Sequence, residues 1–111
     1  MADFGIDVDE REGATVVTVV GSVDLTTAPE LRERLLDLIT EGHVRIVTDL
    51  TGTDFLDSTG LGALVGALKR LRTKEGEMRL VCADGPVRKV FSITSLDRVF
   101  PIHETLDDAL R

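Results

Sequence analysis

Asp49-Leu50-Thr51-Gly52-Thr53-Asp54-Phe55-Leu56-Asp57-Ser58-Thr59-Gly60-Leu61-Gly62-Ala63-Leu64 is the stretch that decides the fold, because it passes from strand to helix. Ile46, Val47 and Leu50 lead into it with the apolar content of a strand. Thr51-Gly52-Thr53 breaks that pattern with turn residues and predicts a loop. Beyond it, Leu61, Leu64, Val65, Leu68 and Leu71 fall at i, i+3, i+4, i+7 and i+10, one face of an amphipathic helix. Asp57 and Ser58 sit where that helix must begin, and both residue types cap helix N-termini. Gly60 and Gly62 lie in its first turns. A glycine inside a helix costs about 1 kcal/mol relative to alanine. A pair of them here predicts that bulk is unwelcome at this end, because something must come close to Ser58.

Ser58 thus presents a hydroxyl where unpaired backbone N–H groups and the positive end of the helix dipole gather. Such a position receives a phosphate well. Taken as a residue type alone, Ser58 reads first as a helix cap.

The rest of the chain alternates strands and helices. Phe4, Ile6 and Val8 alternate with polar residues or glycine, and predict a half-exposed strand. Glu10 to Gly13 is a polar turn, and the β-branched run Thr15–Val20 is its hairpin partner, ended by Gly21-Ser22. Val23 to Leu25 is then an irregular exit. Thr27 and Glu30 have capping-box spacing, Leu31, Leu35, Leu38 and Ile39 form a buried helix face, and Gly42 closes that helix. Val44, Ile46, Val47 and Leu50 give the next strand, Val44 to Leu50, a nearly continuous apolar run, as expected for a strand covered on both faces. Met78 to Ala83 is a further strand, and Pro86 starts a helix with Val87, Val90, Phe91 and Thr94 on its inner face. Phe100-Pro101-Ile102 predicts a short edge strand and Thr105–Leu110 a short helix. The alternation defines an α/β domain with a mixed, mostly parallel sheet of about five strands and about four flanking helices, its β-α-β units right-handed.

Composition bounds the function. At 111 residues the chain is one domain, and 42% hydrophobic with 30% charged residues places it among folded globular proteins. The net charge of -7 and the lack of Trp and Tyr argue against nucleic acid as a partner and favour a partner that is basic where it docks. Cys82 is the one cysteine and reads as a small buried hydrophobe. Met1-Ala2-Asp3-Phe4 lacks the features of a signal peptide, and no apolar run is long enough to span a membrane, so the expected compartment is the cytoplasm.

Four carboxylates, Asp24, Asp49, Asp54 and Asp57, fall at strand ends and are expected to gather near Ser58. Paired carboxylates do acid/base work or hold Mg²⁺, while single Asp residues commonly close turns. No His lies near them in sequence, and Gly60-x-Gly62 lacks the rest of a nucleotide fingerprint. His43 and His103 read as polar surface residues, and Lys69, Arg70, Arg72 and Lys74 as a solvated helix end.

Asp57-Ser58-Thr59-Gly60-Leu61-Gly62 resembles the Asp-Ser-Ser/Thr-Gly-Leu-Gly signature of STAS domains, in particular of bacterial anti-sigma factor antagonists. Gly21 to Ala28 resembles that family's Gly-x-x-Asp-x-x-x-Ala segment. Ser95-Leu96-Asp97-Arg98-Val99-Phe100 resembles its Gly-Leu-x-x-Val-Phe segment, with Ser95 for the usual glycine at a helix C-cap. The resemblance covers nearly the whole chain and implies a single STAS-type domain over residues 1–111. It implies Ser58 as a phosphorylation site, with Thr59 the less favoured hydroxyl, and no catalytic or metal-binding residue. It implies a partner surface comprising Asp24, Thr26, Asp54, Asp57, Ser58, Thr59, Gly60, Leu61 and Gly62, with Asp57 capping the helix. The implied function is a partner switch: the unmodified chain binds an anti-sigma factor that is also a serine kinase and releases the sigma factor, and phosphorylation turns binding off. The implied chain is no enzyme and holds no cofactor. ATP and Mg²⁺ come with the kinase, a metal-dependent serine phosphatase resets the switch, and a homodimer is allowed. Two rival readings are a constitutive STAS subunit of a lipid-transport or stress-signalling assembly, and a small enzyme using Ser58 as nucleophile, which lacks an evident base.

Overall fold

The computed structural model describes residues 3–111. Met1 and Ala2, the start of the segment read for a signal peptide and of the domain expected over 1–111, lie outside the described residues. The elements follow the order β1 (Gly5–Arg11), β2 (Ala14–Val23), α1 (Ala28–Thr40), β3 (Arg45–Asp49), β4 (Thr53–Leu56), α2 (Ser58–Arg72), β5 (Glu77–Val81), α3 (Pro86–Ile93), a 3-10 turn (Leu96–Arg98), β6 (Ile102–His103) and α4 (Leu106–Ala109).

β1 and β2 form an antiparallel hairpin with Gly5 opposite Val20 and Arg11 opposite Ala14. Glu12 and Gly13 turn it with φ of 52° and 81°, the type I′ signs that match strand twist. The other strands run parallel in the order β1-β2-β3-β5-β6, with β4 also paired to β2. Ile46 on β3 faces α1, α2 and α3 in the larger core. Val47, its neighbour, packs with Val16, Val81 and Ala109 under α4. β3 is therefore covered on both faces, as its apolar run predicts. Each such fully buried aliphatic side chain contributes about 1.5–3 kcal/mol.

Several local expectations change in the folded chain. β2 does not end at Gly21-Ser22. Gly21 takes a φ of 91°, the register slips there, and the strand runs on to Val23. The predicted loop ends early, because Thr53 to Leu56 forms the additional strand β4, parallel to that extension of β2. The capping box at Thr27 and Glu30 does not form. Thr27 Oγ1 donates to the Ser22 carbonyl at 2.7 Å and accepts from the Asp24 N–H at 2.9 Å, so it closes the β2–α1 turn instead. Thr94 is exposed past the end of α3, and its Oγ1 donates to the Val90 carbonyl at 2.8 Å. β6 covers Ile102–His103, because Phe100 is drawn into the core edge-on to Phe91, with ring centroids 6.3 Å apart.

Other expectations hold. Past Gly42, α1 ends in paired bonds, Gly42 N–H to Ile39 O at 3.0 Å and His43 N–H to Leu38 O at 2.9 Å, a Schellman closure. Pro86 opens α3, Thr105 caps α4, and Cys82 is buried.

Ser95 occupies the left-handed region, with φ 61° and ψ 16°, at the residue following the C-cap of α3. An L-residue is strained there by about 1–2 kcal/mol, while glycine adds unfolded-state entropy of about 0.4–1 kcal/mol. Ser95→Gly should therefore stabilise the protein by about 0.5–1 kcal/mol in urea unfolding. A destabilised variant would show that the serine side chain itself supports the turn.

Candidate functional site

β2 and β4 leave the sheet side by side. Val23 is paired with Leu56, and the Asp57 N–H donates to the Val23 carbonyl at 3.3 Å. The next residues, Asp24 and Asp57, therefore emerge together although 33 positions separate them in the chain. Each carboxylate closes the same local turn. Asp57 Oδ1 accepts from Thr59 N–H at 2.9 Å, from Gly60 N–H at 3.2 Å and from the Thr59 hydroxyl. Asp24 Oδ1 accepts from Thr26 N–H at 3.0 Å and from the Thr26 hydroxyl at 2.7 Å.

Asp57 is thus the N-cap of α2, with extended φ of -108° and ψ of -170°, and Ser58 is the first helical residue. Ser58 is exposed, and its hydroxyl makes no hydrogen bond among the described residues. Thr59 is half-buried with its hydroxyl bound to Asp57. Of the two adjacent hydroxyls, Ser58 is the accessible one.

The four carboxylates do not form one group. Asp24 and Asp57 are close enough to act on each other electrostatically. Asp54 is exposed on β4 and accepts from Ser22 Oγ at 2.8 Å. Asp49 pairs opposite Thr18, five residues short of Val23 on β2, which places it about 16 Å behind the site at strand rise. There it binds the Thr51 N–H at 3.0 Å and the Thr51 hydroxyl. Asp-x-Thr thus occurs as Asp24-Leu25-Thr26, Asp49-Leu50-Thr51 and Asp57-Ser58-Thr59, each closing a turn at a strand end. That repeated spacing is a sequence signal for turn-closing carboxylates, and it separates Asp49 from a cluster at Ser58.

The hydroxyl of Thr59 is the main cause that holds the Asp57 carboxyl below its ordinary value, against burial and the nearby charge of Asp24. The hydroxyl of Thr26 does the same for Asp24. Both are ionised at neutral pH, and the lowered pKa makes each a weaker proton acceptor than an ordinary carboxylate. Among the described residues, no three His, Cys, Asp or Glu side chains are placed to hold a metal ion, and no helix is long and apolar enough to cross a membrane. His43 lies far off at the C-terminal end of α1, with Nδ1 2.9 Å from Glu10 Oε1.

The two glycines have different reasons. A Cβ on Gly60 would lie 2.4 Å from Leu56 Cδ1 and 2.8 Å from Val23 Cγ1. The room at Gly60 is therefore filled by the chain's own strands, which corrects the expectation of an outside visitor there. Leu61 likewise turns into the core, at 8% exposure. Gly62 is exposed, and a Cβ there would meet nothing within 4 Å.

A mixed α/β sheet here presents an exposed serine at a helix start, on a scaffold whose neighbouring polar groups satisfy one another. The chain belongs to the STAS domain family, whose profile matches residues 5–109. It is 33% identical over 101 residues to the Bacillus subtilis (strain 168) protein named anti-sigma-B factor antagonist, covering 90% of this chain and 91% of that protein. The crystal structure of an anti-sigma factor antagonist from Mycobacterium paratuberculosis superposes with a TM-score of 0.90 at 33% identity, over 97% of this chain and 92% of that one. The fold is also that of the Bacillus protein SpoIIAA. Its unphosphorylated form gives a TM-score of 0.72 at 21% identity, covering 96% of this chain and 92% of that one. Its phosphorylated form gives 0.72 at 24% identity, covering 97% and 96%.

Gly60→Ala should destabilise the protein by about 1–2 kcal/mol, overpacking against stiff Val23 outweighing the helix gain. Gly62→Ala should instead stabilise it by up to about 1 kcal/mol. Denaturant melts of the pair check this, and equal effects would contradict the packing at Gly60.

Asp57 contributes stability as an anion, since its folded pKa lies below the ordinary 3.8. That contribution is fully present above 3.8 and lost as the pH falls through the folded value. Asp57→Ala should therefore be less stable than the parent at pH 7, with the gap closing below about pH 4. A gap independent of pH would mean that the carboxylate charge has no part in the cap.

Proposed function

We propose that the chain is an anti-sigma factor antagonist whose docking surface centres on Ser58. Unmodified, it binds an anti-sigma factor and frees the sigma factor held by it. The observation that carries this reading is the accessible Ser58 hydroxyl on a rigid cap, beside groups already committed to one another. The names of its relatives support the same reading. Asp24, Thr26, Asp54, Thr59 and Gly62 surround the contact, while Gly60 and Leu61 act from beneath by setting the helix against the sheet.

The anti-sigma factor is also the kinase in this reading. It brings ATP and Mg²⁺ and transfers the terminal phosphoryl group to Ser58 Oγ, releasing ADP and the hydroxyl proton. The cytoplasm is the compartment, and a metal-dependent serine phosphatase reverses the step. The chain itself supplies no catalytic group.

The phosphate gains less from α2 than a bare helix start would offer. Asp57 already takes the N–H groups of Thr59 and Gly60. The phosphate, with about -1.5 to -2 charge, therefore faces water beside two ionised carboxylates. The remaining helix dipole opposes this repulsion, and each effect is about 1 kcal/mol or less at an exposed site. The fold is retained. Binding is not, because a partner must strip water from a dianion that it does not pair. A hundredfold loss corresponds to about 2.7 kcal/mol.

The test uses purified anti-sigma factors from the source organism, titrated against the chain and then incubated with it and ATP. Phosphate should map to Ser58, melting should move by a few degrees at most, and affinity should fall about a hundredfold or more. Ser58→Ala should fold, bind and resist switching. Phosphate on Thr59 would move the site. A complex that survives phosphorylation would make the chain a constitutive subunit, and absence of binding to any anti-sigma factor would refute antagonism.

A further inference from the structure

α1 and α2 leave an open groove of about 690 Å³ between them, on the side of α2 that begins at Ser58. Its lining is largely apolar, with Leu25, Ala28, Pro29, Leu36 and Ala63. Leu25 stands on its lip at 74% exposure, immediately after Asp24. A lone exposed leucine has no meaning by itself, but one that completes an apolar groove of ligand-pocket size does. Thr59 and Gly62 form the end nearest Ser58, so the groove and the serine share one continuous face. Gly62 deepens it there, with nothing within 4 Å of the missing Cβ.

The rim selects the occupant. Glu33 and Asp37 stand exposed along α1, with Arg32 as the one cation among the described lining residues. Asp24 and Asp57 extend the negative charge to the serine end. A second copy of this chain would bring its own net charge of -7 against an acidic rim. A fatty acid would bring a carboxylate to the same place. An apolar side chain flanked by lysine or arginine satisfies both floor and rim.

We propose that this groove is the second half of the docking surface, seating an apolar side chain that the anti-sigma factor carries on a basic segment. This rests on the antagonist reading above and adds what the partner must present. Ser58 carries the switch, and the groove carries recognition. Groove contacts lie away from the transferred phosphoryl group, so they act on substrate binding more than on the chemical step.

Two variants at exposed positions test it, Leu25→Ser and the double variant Glu33→Lys/Asp37→Lys, with circular dichroism confirming that both fold. Each is titrated by calorimetry against the anti-sigma factor that binds the unmodified chain. Both should lose about tenfold or more in affinity, and the loss in the lysine variant should shrink as salt is raised. The KM for phosphorylation at Ser58 should rise with kcat unchanged. Affinities within twofold of the parent would overturn the groove as a docking site, while parental binding and its loss on phosphorylation would leave antagonism standing. Loss in Leu25→Ser alone would overturn the basic partner segment. A fatty acid seen by native mass spectrometry, or a dimer abolished by Leu25→Ser, would put a different occupant there. Failure of the parent to bind any anti-sigma factor would instead refute antagonism, and this inference with it.

Discussion

The end of the domain that carries Ser58 hangs on the contact of Gly60 with the paired strand ends Val23 and Leu56. The first turn of α2 lies directly on that pair, with less than a methyl group of clearance. The parallel register of Val23 with Leu56 brings Asp24 beside Asp57. The close seat of Gly60 then aims α2 so that Asp57 caps it and Ser58 stands clear. Side-chain bulk at Gly60 would push the helix start off the sheet and move the serine with it.

Around that contact the polar groups divide their labour. Asp24 and Asp57 spend their charge on neighbouring N–H and hydroxyl groups, which keeps the turns rigid and the carboxyls ionised. Ser58 is left as the accessible hydroxyl. A charge added there meets a preset negative field instead of a loose loop waiting to be ordered. In the proposed switch, modification of Ser58 acts on what can approach the surface, not on whether the surface is folded.

Gly60 and Gly62 lie two residues apart and serve opposite sides of α2. One permits contact with the chain's own sheet, and the other leaves the outer face open towards the α1 groove. The cost of these two glycines in the first turns of α2, about 1 kcal/mol each, is therefore spread over an internal and an external requirement.

Local chemistry was readable along the chain. Periodicity at Leu61 to Leu71 placed α2, Gly42 and Pro86 marked helix ends, and β-branched runs marked the central strands. The family motif named Asp57 and Ser58, and the residue types alone placed both at a helix start. What stayed hidden depends on partners distant in sequence. Thr53 to Leu56 has only four residues, with Asp54 and Phe55 both exposed, so no alternation betrays a strand until β2 supplies its hydrogen bonds. Thr27 has the right spacing to cap α1, but its hydroxyl oxygen accepts from the Asp24 N–H instead of a helix N–H while its proton goes to the Ser22 carbonyl, a competition that tertiary geometry resolves. Asp49 and Asp57 look equivalent as Asp-x-Thr turns, and only the parallel register of the sheet sets one at the site and the other well behind it. Sequence determined which segments form and what each end can bind. Tertiary structure decided which ends meet, because parallel pairing across long crossovers is fixed by packing and not by neighbours in the chain.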